Sequence, residues 1–267
     1  MSKKLLEQWL RTLAISDPHC GSRVGLTPPR YWTSAKADPK LAKIQRELWG
    51  FFSKKVKELQ PIHRLMVLGD CIDGKGKRSG GTEQLTTDRT IQTDMAAECI
   101  NFVKADKVVM TYGTGYHVGD DEDWEDIVAS KVNNLVKIGS HEWPKVNGVV
   151  FDIKHKHGGS SIPHGRMTAL AKSKMWNTVW SAYRERQPNA DIILRGHVHY
   201  HNHCGGPGWI GMTLPALQGY GSKFGARQCE GIVDIGMVVF DIDQKGSYSW
   251  QLIEAELSQQ KAQILQF

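Results

Sequence analysis

Two hydrophobic rhythms run through the chain. Short runs rich in Val, Ile and Leu predict strands at Thr12–Ser16, Leu65–Gly69, Val108–Tyr112, Val149–Lys154, Asp191–Arg195, Trp209–Leu214, Ile235–Ile242 and Ser247–Leu252. Between them, apolar residues recurring every three or four positions predict helices over Pro39–Leu59, Thr86–Lys104, Asp123–Val136 and Gly165–Arg186. In the first helix Leu41, Ile44, Leu48, Phe51, Phe52, Val56 and Leu59 form one apolar stripe. Asp38-Pro39 opens it with a capping side chain and a first-turn proline. Strands and helices that alternate early, then give way to strands, predict a layered α/β domain. No repeat, low-complexity tract or Pro/Ser-rich linker divides it, so residues 1–267 are expected to form one domain.

Composition narrows the class. With 267 residues, 40% of them hydrophobic, the chain can bury a core and is not a disordered one. No run approaches the length of a membrane helix, and Glu7, Gln8 and Arg11 interrupt the basic N-terminus before any long apolar stretch, so neither a membrane nor a secretory route is expected. Five cysteines without a CxxC pair point to a reducing, cytoplasmic setting. A net charge of +6 fits an anionic partner. The eleven histidines say more through their placement.

Five predicted strands run straight into metal-ligating residue types. They deliver Asp17-Pro18-His19, Gly69-Asp70-Cys71-Ile72-Asp73, Gly113-Thr114-Gly115-Tyr116-His117, His155-Lys156-His157-Gly158 and Gly196-His197-Val198-His199. The carboxyl ends of strands share one rim of an α/β sheet, which is where such sheets bind ligands. Carboxylates mixed with imidazoles suit borderline divalent ions better than magnesium or calcium. On an extended backbone, residues two apart, as in Asp17/His19 and His197/His199, point to the same side and reach a common ion.

The order D-x-H, G-D-x-x-D, G-x-x-x-H, H-G, G-H-x-H resembles the calcineurin-like metallophosphoesterase superfamily, over the stretch from Asp17 to His199. The resemblance implies a four-layer α/β/β/α sandwich of two mixed sheets flanked by helices, with two divalent ions at the carboxyl ends of the strands. Manganese is the first expectation, with iron, cobalt, nickel or zinc as alternatives. By motif position Asp17, His19, Asp70 and His199 would hold one ion, Asp70 bridging, and His157 and His197 the other. His157 is preferred to His155 because Gly158 follows it, which leaves His155 as a strand residue or an imidazole behind the ligands. The third motif departs from the family: Thr114 stands where an Asn ligand is usual, and His117 comes two residues late. His117 is then either the acid that assists the leaving oxygen or the occupant of the missing ligand position. Gly139-Ser140-His141-Glu142 looks closer to the family's GNHE, but it follows a predicted helix and is set aside.

The implied activity is phosphodiester hydrolysis by a hydroxide activated between two metals, on nucleic acid or nucleotide. A phosphomonoesterase acting on a small metabolite or nucleotide is the runner-up, and a protein-binding scaffold without catalysis the third reading. Gly74 after Asp73 departs from the family's protein phosphatases. The basic loop after the second motif carries Lys75, Lys77 and Arg78, which would grip substrate phosphates, and Trp32 is a candidate base-stacking platform.

Overall fold

The computed structural model describes residues 9–32, 39–119, 122–220, 233–257 and 264–266; the expected cap Asp38 and Cys229 lie outside them. One sheet has six strands in the order β11-β10-β1-β2-β3-β4. These are β1 (Trp9–Ile15), β2 (Arg64–Leu68), β3 (Lys107–Thr111), β4 (Leu135–Gly139), β10 (Gly236–Asp243) and β11 (Tyr248–Glu254). The first four run parallel, and β10 and β11 add antiparallel partners on the β1 side. The second sheet, β5-β6-β7-β9-β8, comprises β5 (Lys145–Val146), β6 (Val149–Lys154), β7 (Ile192–Arg195), β8 (Asn202–Gly206) and β9 (Trp209–Thr213). It is also mixed, with β6, β7 and β9 parallel and the two outer strands antiparallel.

Alternation along the strands builds the layers. In β1, Leu13 and Ile15 face one core while Ala14 faces the other; in β2, Leu65 and Val67 part from Met66 and Leu68 in the same way. The first core lies between the six-stranded sheet and the helices α1 (Pro39–Glu58), α2 (Arg89–Phe102) and α4 (Trp124–Ser130). Ile44, Leu48, Phe52 and Val56, each four residues from the last, carry the α1 stripe and are almost fully buried. The second core lies between the sheets, where Phe151 meets Phe240 edge-on with ring centroids 5.3 Å apart. The helix α5 (Arg166–Ala182) covers the far side of the second sheet, against β8 and β9. The result is the four-layer α/β/β/α sandwich of two mixed sheets. Among the described residues no helix is long and apolar enough to cross a membrane.

Five elements differ from the sequence pattern. The helix expected to reach Val136 stops at Ser130, and Leu135–Gly139 pairs with β3 as β4. The break is at Asn134, which takes a left-handed φ of 58° and bonds the Ala105 carbonyl through its side chain. The two-residue β5 and the edge strand β8, whose sequence is Asn-His-Cys-Gly-Gly, show no apolar alternation to read. The helix expected from Thr86 starts at Arg89 because the Asp88 carboxylate accepts from the Thr90 and Ile91 amides.

Candidate metal centre

The ligand-type residues sit just past the strands, in tight turns. Ten described residues other than glycine have a positive φ, and five of them are Asp17, His19, Asp70, His197 and His199, at 42–74°. Left-handed backbone costs such residues of order 1–3 kcal/mol each and persists only where the surroundings enforce it. The side chains therefore converge through turns, and the extended backbone expected for Asp17/His19 and His197/His199 is not what aims them. Backbone bonds tie the turns together: the amides of Asp17 and His19 donate to the carbonyls of Gly69 and Asp70. A side chain at Gly113 would collide with the Asp70 carboxylate and backbone, so the third motif approaches the second closely only through glycine.

Three overlapping groups result: Asp17–His19–His199, His19–Asp70–His117 and Asp70–His155–His197. Within each, the ligand atoms lie within 4.8 Å of one another. His19 Nδ1 meets the Asp73 carboxylate at 3.0 Å, and His155 Nδ1 donates to the Leu68 carbonyl at 2.5 Å. These bonds fix each ring and turn its Nε2 toward the cluster, the arrangement typical of metal-binding histidines. Asp73 is itself held by the Gln84 side-chain amide.

Electrostatics match a cation site. Burial alone would raise Asp17 and Asp70, yet the surrounding histidines hold both well below the usual carboxylate range, so both are charged. Burial favours a neutral His155, but Asp17 and Asp70 outweigh it and lift the ring to about 9. His199 Nε2 lies 3.1 Å from Asp17 Oδ1, and His155 Nε2 lies 3.0 Å from Asp70 Oδ2. Carboxylates and imidazoles gathered this closely converge on shared points, and the set fits borderline divalent ions.

The structure brings together Asp17, His19, Asp70, His117, His197 and His199. It does not bring His157 into any of these groups, whereas His155 stands in the third. Phe151 and Ile153 of β6 face the inter-sheet core, and His155 continues their side of the strand onto the rim. His157 lies beyond the bend against the opposite face, beside Arg195, where burial and then the Arg195 charge push it down to about 4.

Thr114 does stand beside Asp70, its hydroxyl 3.1 Å and its amide 2.6 Å from Oδ1. The one-turn helix α3 (Gly115–Val118) carries His117 back over the site. There its Nδ1 bonds the Asp73 carbonyl at 3.1 Å, and its ring meets His19 edge-on at 4.5 Å. Burial, then the His19 charge, hold His117 below the ordinary imidazole value. Gly139-Ser140-His141-Glu142 follows a strand after all, but His141 turns away to bond Asp152 at 2.8 Å.

Arg78 lines the cavity of about 460 Å³ over the centre, and Lys75 and Lys77 line an adjoining hollow that shares Tyr116 and His117. Trp32 spends its indole N–H on the Thr27 carbonyl. Glu125 belongs to none of the sequence motifs. Fully buried, it accepts from the amides of Cys71 at 2.8 Å and Gly113 at 2.5 Å, clamping the second and third motifs together, and burial, then the Asp70 charge, lift it to about 7. No spacing rule links it to either motif, because α4 brings it there through the fold.

No protein-family model and no curated protein matches the chain. Among solved structures, it is similar to an archaeal phosphodiesterase, at 10% identity over 91% of this chain and 100% of that one with a TM-score of 0.47. It is similar to zinc-complexed wild-type Vps29 from Entamoeba histolytica, at 14% identity over 92% and 99%, TM-score 0.41. A predicted phosphoesterase from Streptococcus pneumoniae gives 8% over 92% and 98%, TM-score 0.38. With all three TM-scores below 0.5, the chemistry rests on this chain's own residues.

Proposed function

We propose that this chain hydrolyses phosphodiesters of nucleic acids or nucleotides at a two-ion centre, as a metallophosphoesterase of the kind its motifs resemble. The observation that carries the reading is the sharing of Asp70 between the His19–Asp70–His117 and Asp70–His155–His197 groups. A carboxylate common to two neighbouring ligand sets is what a bridged pair of ions requires. Asp17, His19 and His199 complete one set, and His155 and His197 the other. His117 takes the ligand position that Thr114 leaves, since its ring reaches the same group as Asp70 and His19.

Two divalent ions held there, manganese first or else iron, cobalt, nickel or zinc, would supply a more acidic water and positive charge for the phosphoryl group. The chain's own residues do the rest. Asp73 keeps His19 in one tautomer. Glu125 holds the Asp70 and Gly113 turns in register. Arg78 meets the phosphate in the cavity, and Lys75 and Lys77 continue the positive surface toward a polyanion.

The test combines metal content with hydrolysis of bis- and mono-(4-nitrophenyl) phosphate. The wild type should bind two ions per chain and prefer the diester. Asp70→Ala should lose both ions and more than about 100-fold of the rate, beyond what removal of an outer partner costs. His117→Ala should lower metal content together with rate. Full turnover without Asp70, or preference for the monoester, overturns the proposal.

A further inference from the structure

Beside the metal centre runs a second, unassigned groove of about 490 Å³, between α5 and the outward side chains of β6 and β7. Lys154, Lys156 and Lys172 line it, exposed, and none pairs with a described residue. Asp152 is the only carboxylate among the described residues lining it, and Arg195 and His141 already hold it, at 2.7 and 2.8 Å. The groove therefore presents uncompensated positive charge.

Its other wall is aromatic. Trp176 and Trp180 of α5 line it and are 48% and 41% exposed, unusual for the largest apolar side chain. Four residues apart, they stand on one helix face about 6 Å apart along its axis, so each ring offers a stacking surface of its own. His157, 7% exposed, also lines the groove, with a buried Nε2 that has no hydrogen-bond partner among the described residues. Lys156 lines both this groove and the cavity over Asp70, so the two adjoin at that residue.

We propose that this groove binds an unpaired stretch of nucleic acid, with Trp176 and Trp180 stacking on bases, Lys154, Lys156 and Lys172 meeting phosphates, and Lys156 leading the strand to the metal centre. Free cations facing exposed rings across one groove suit this occupant: a neutral lipid surface or an uncharged protein face would use the rings but leave the lysines uncompensated. The strand must be single, because paired bases hide the faces that tryptophan needs. The inference rests on the phosphodiesterase reading for its purpose, but its test does not depend on hydrolysis.

The probe is a fluorescein-labelled single-stranded deoxyoligonucleotide of about 12 nucleotides, within the range one such groove covers, titrated in EDTA. The wild type should bind it, and bind the same sequence more weakly as a duplex. Trp176→Ala and Trp180→Ala should each weaken binding about tenfold, and Trp176→Phe should restore most of the loss. Lys172→Ala should flatten the slope of log affinity against log salt by about 0.7. Circular dichroism confirms that these variants of exposed residues are folded. Wild-type affinity in both alanine variants, no binding by the wild type, or equal binding of the duplex overturns the inference. So does a wild-type dimer that the alanine variants dissociate without any change in oligonucleotide binding, which would make the face a protein interface. Hydrolysis of bis(4-nitrophenyl) phosphate by the wild type reports the metal centre separately. Hydrolysis without groove binding sinks only this inference, and binding without hydrolysis sinks only the activity.

Discussion

The two faces of the second sheet end in two histidines, two residues apart and in opposite surroundings. On the inner face, Phe151 and Ile153 lead to His155, which meets Asp70 across the rim and is lifted to about 9. On the outer face, Asp152 pairs with Arg195, and His157 beside them is pushed down to about 4 by burial and the neighbouring cation. One histidine gathers positive charge and the other sheds it. Chemically alike residues thus take opposite roles according to whether carboxylates or a guanidinium face them.

The strongest test of this separation removes the outer carboxylate. Asp152→Ala leaves the Arg195 guanidinium buried without its partner, since among the described residues Arg195 otherwise bonds only carbonyls. The expected loss is about 3–5 kcal/mol of folding stability, the usual result of breaking a buried pair from one side. It should appear as a lower urea midpoint while metal stoichiometry stays at the wild-type value. A drop in bound metal equal to that of a ligand variant would mean that the two faces are one site.

A smaller and sharper comparison sets His155→Ala against His157→Ala. The first removes a member of the Asp70–His155–His197 group and should weaken metal affinity by about 100-fold, at the upper end of what even an outer partner contributes. The second should leave affinity unchanged. Competition with a chromogenic chelator reads both, and equal losses would return His157 to the ligand set.

That pair also shows what the sequence displayed and what it concealed. The strand Val149–Lys154 was readable from its Val- and Ile-rich run, and the inward side of the folded strand, Phe151 and Ile153, carried one step further, points to His155. The glycine after His157 drew attention the other way. Asp17, His19, Asp70, His197 and His199 were legible because each follows a strand, but their left-handed turns were not, since nothing in D-x-H or G-H-x-H dictates a positive φ. The short β4 merged with the helix before it, although Asn133-Asn134 marked the break. Glu125 reaches the site only through tertiary packing. The exposure of Trp176 and Trp180 was hidden for a related reason: periodicity finds a helix, but not whether a neighbour covers each of its faces.

The smallest expected effect is a pH dependence confined to the outer histidine. In the unfolded chain His157 titrates near 6.5; folded, it titrates near 4. Between those values the unfolded state holds more protons, so the folded state gains stability as pH rises and has the full contribution above 6.5. The slope approaches about 1.4 kcal/mol per pH unit at most inside that window. The clean measurement is the difference in urea stability between wild type and His157→Gln in EDTA, because every other titrating group, His155 included, is common to both. The difference should grow in favour of the wild type from pH 4 to 6.5 and then level off. A difference that stays flat over that range and shrinks only above pH 6.5 would put His157 among the carboxylates, on the inner face with His155.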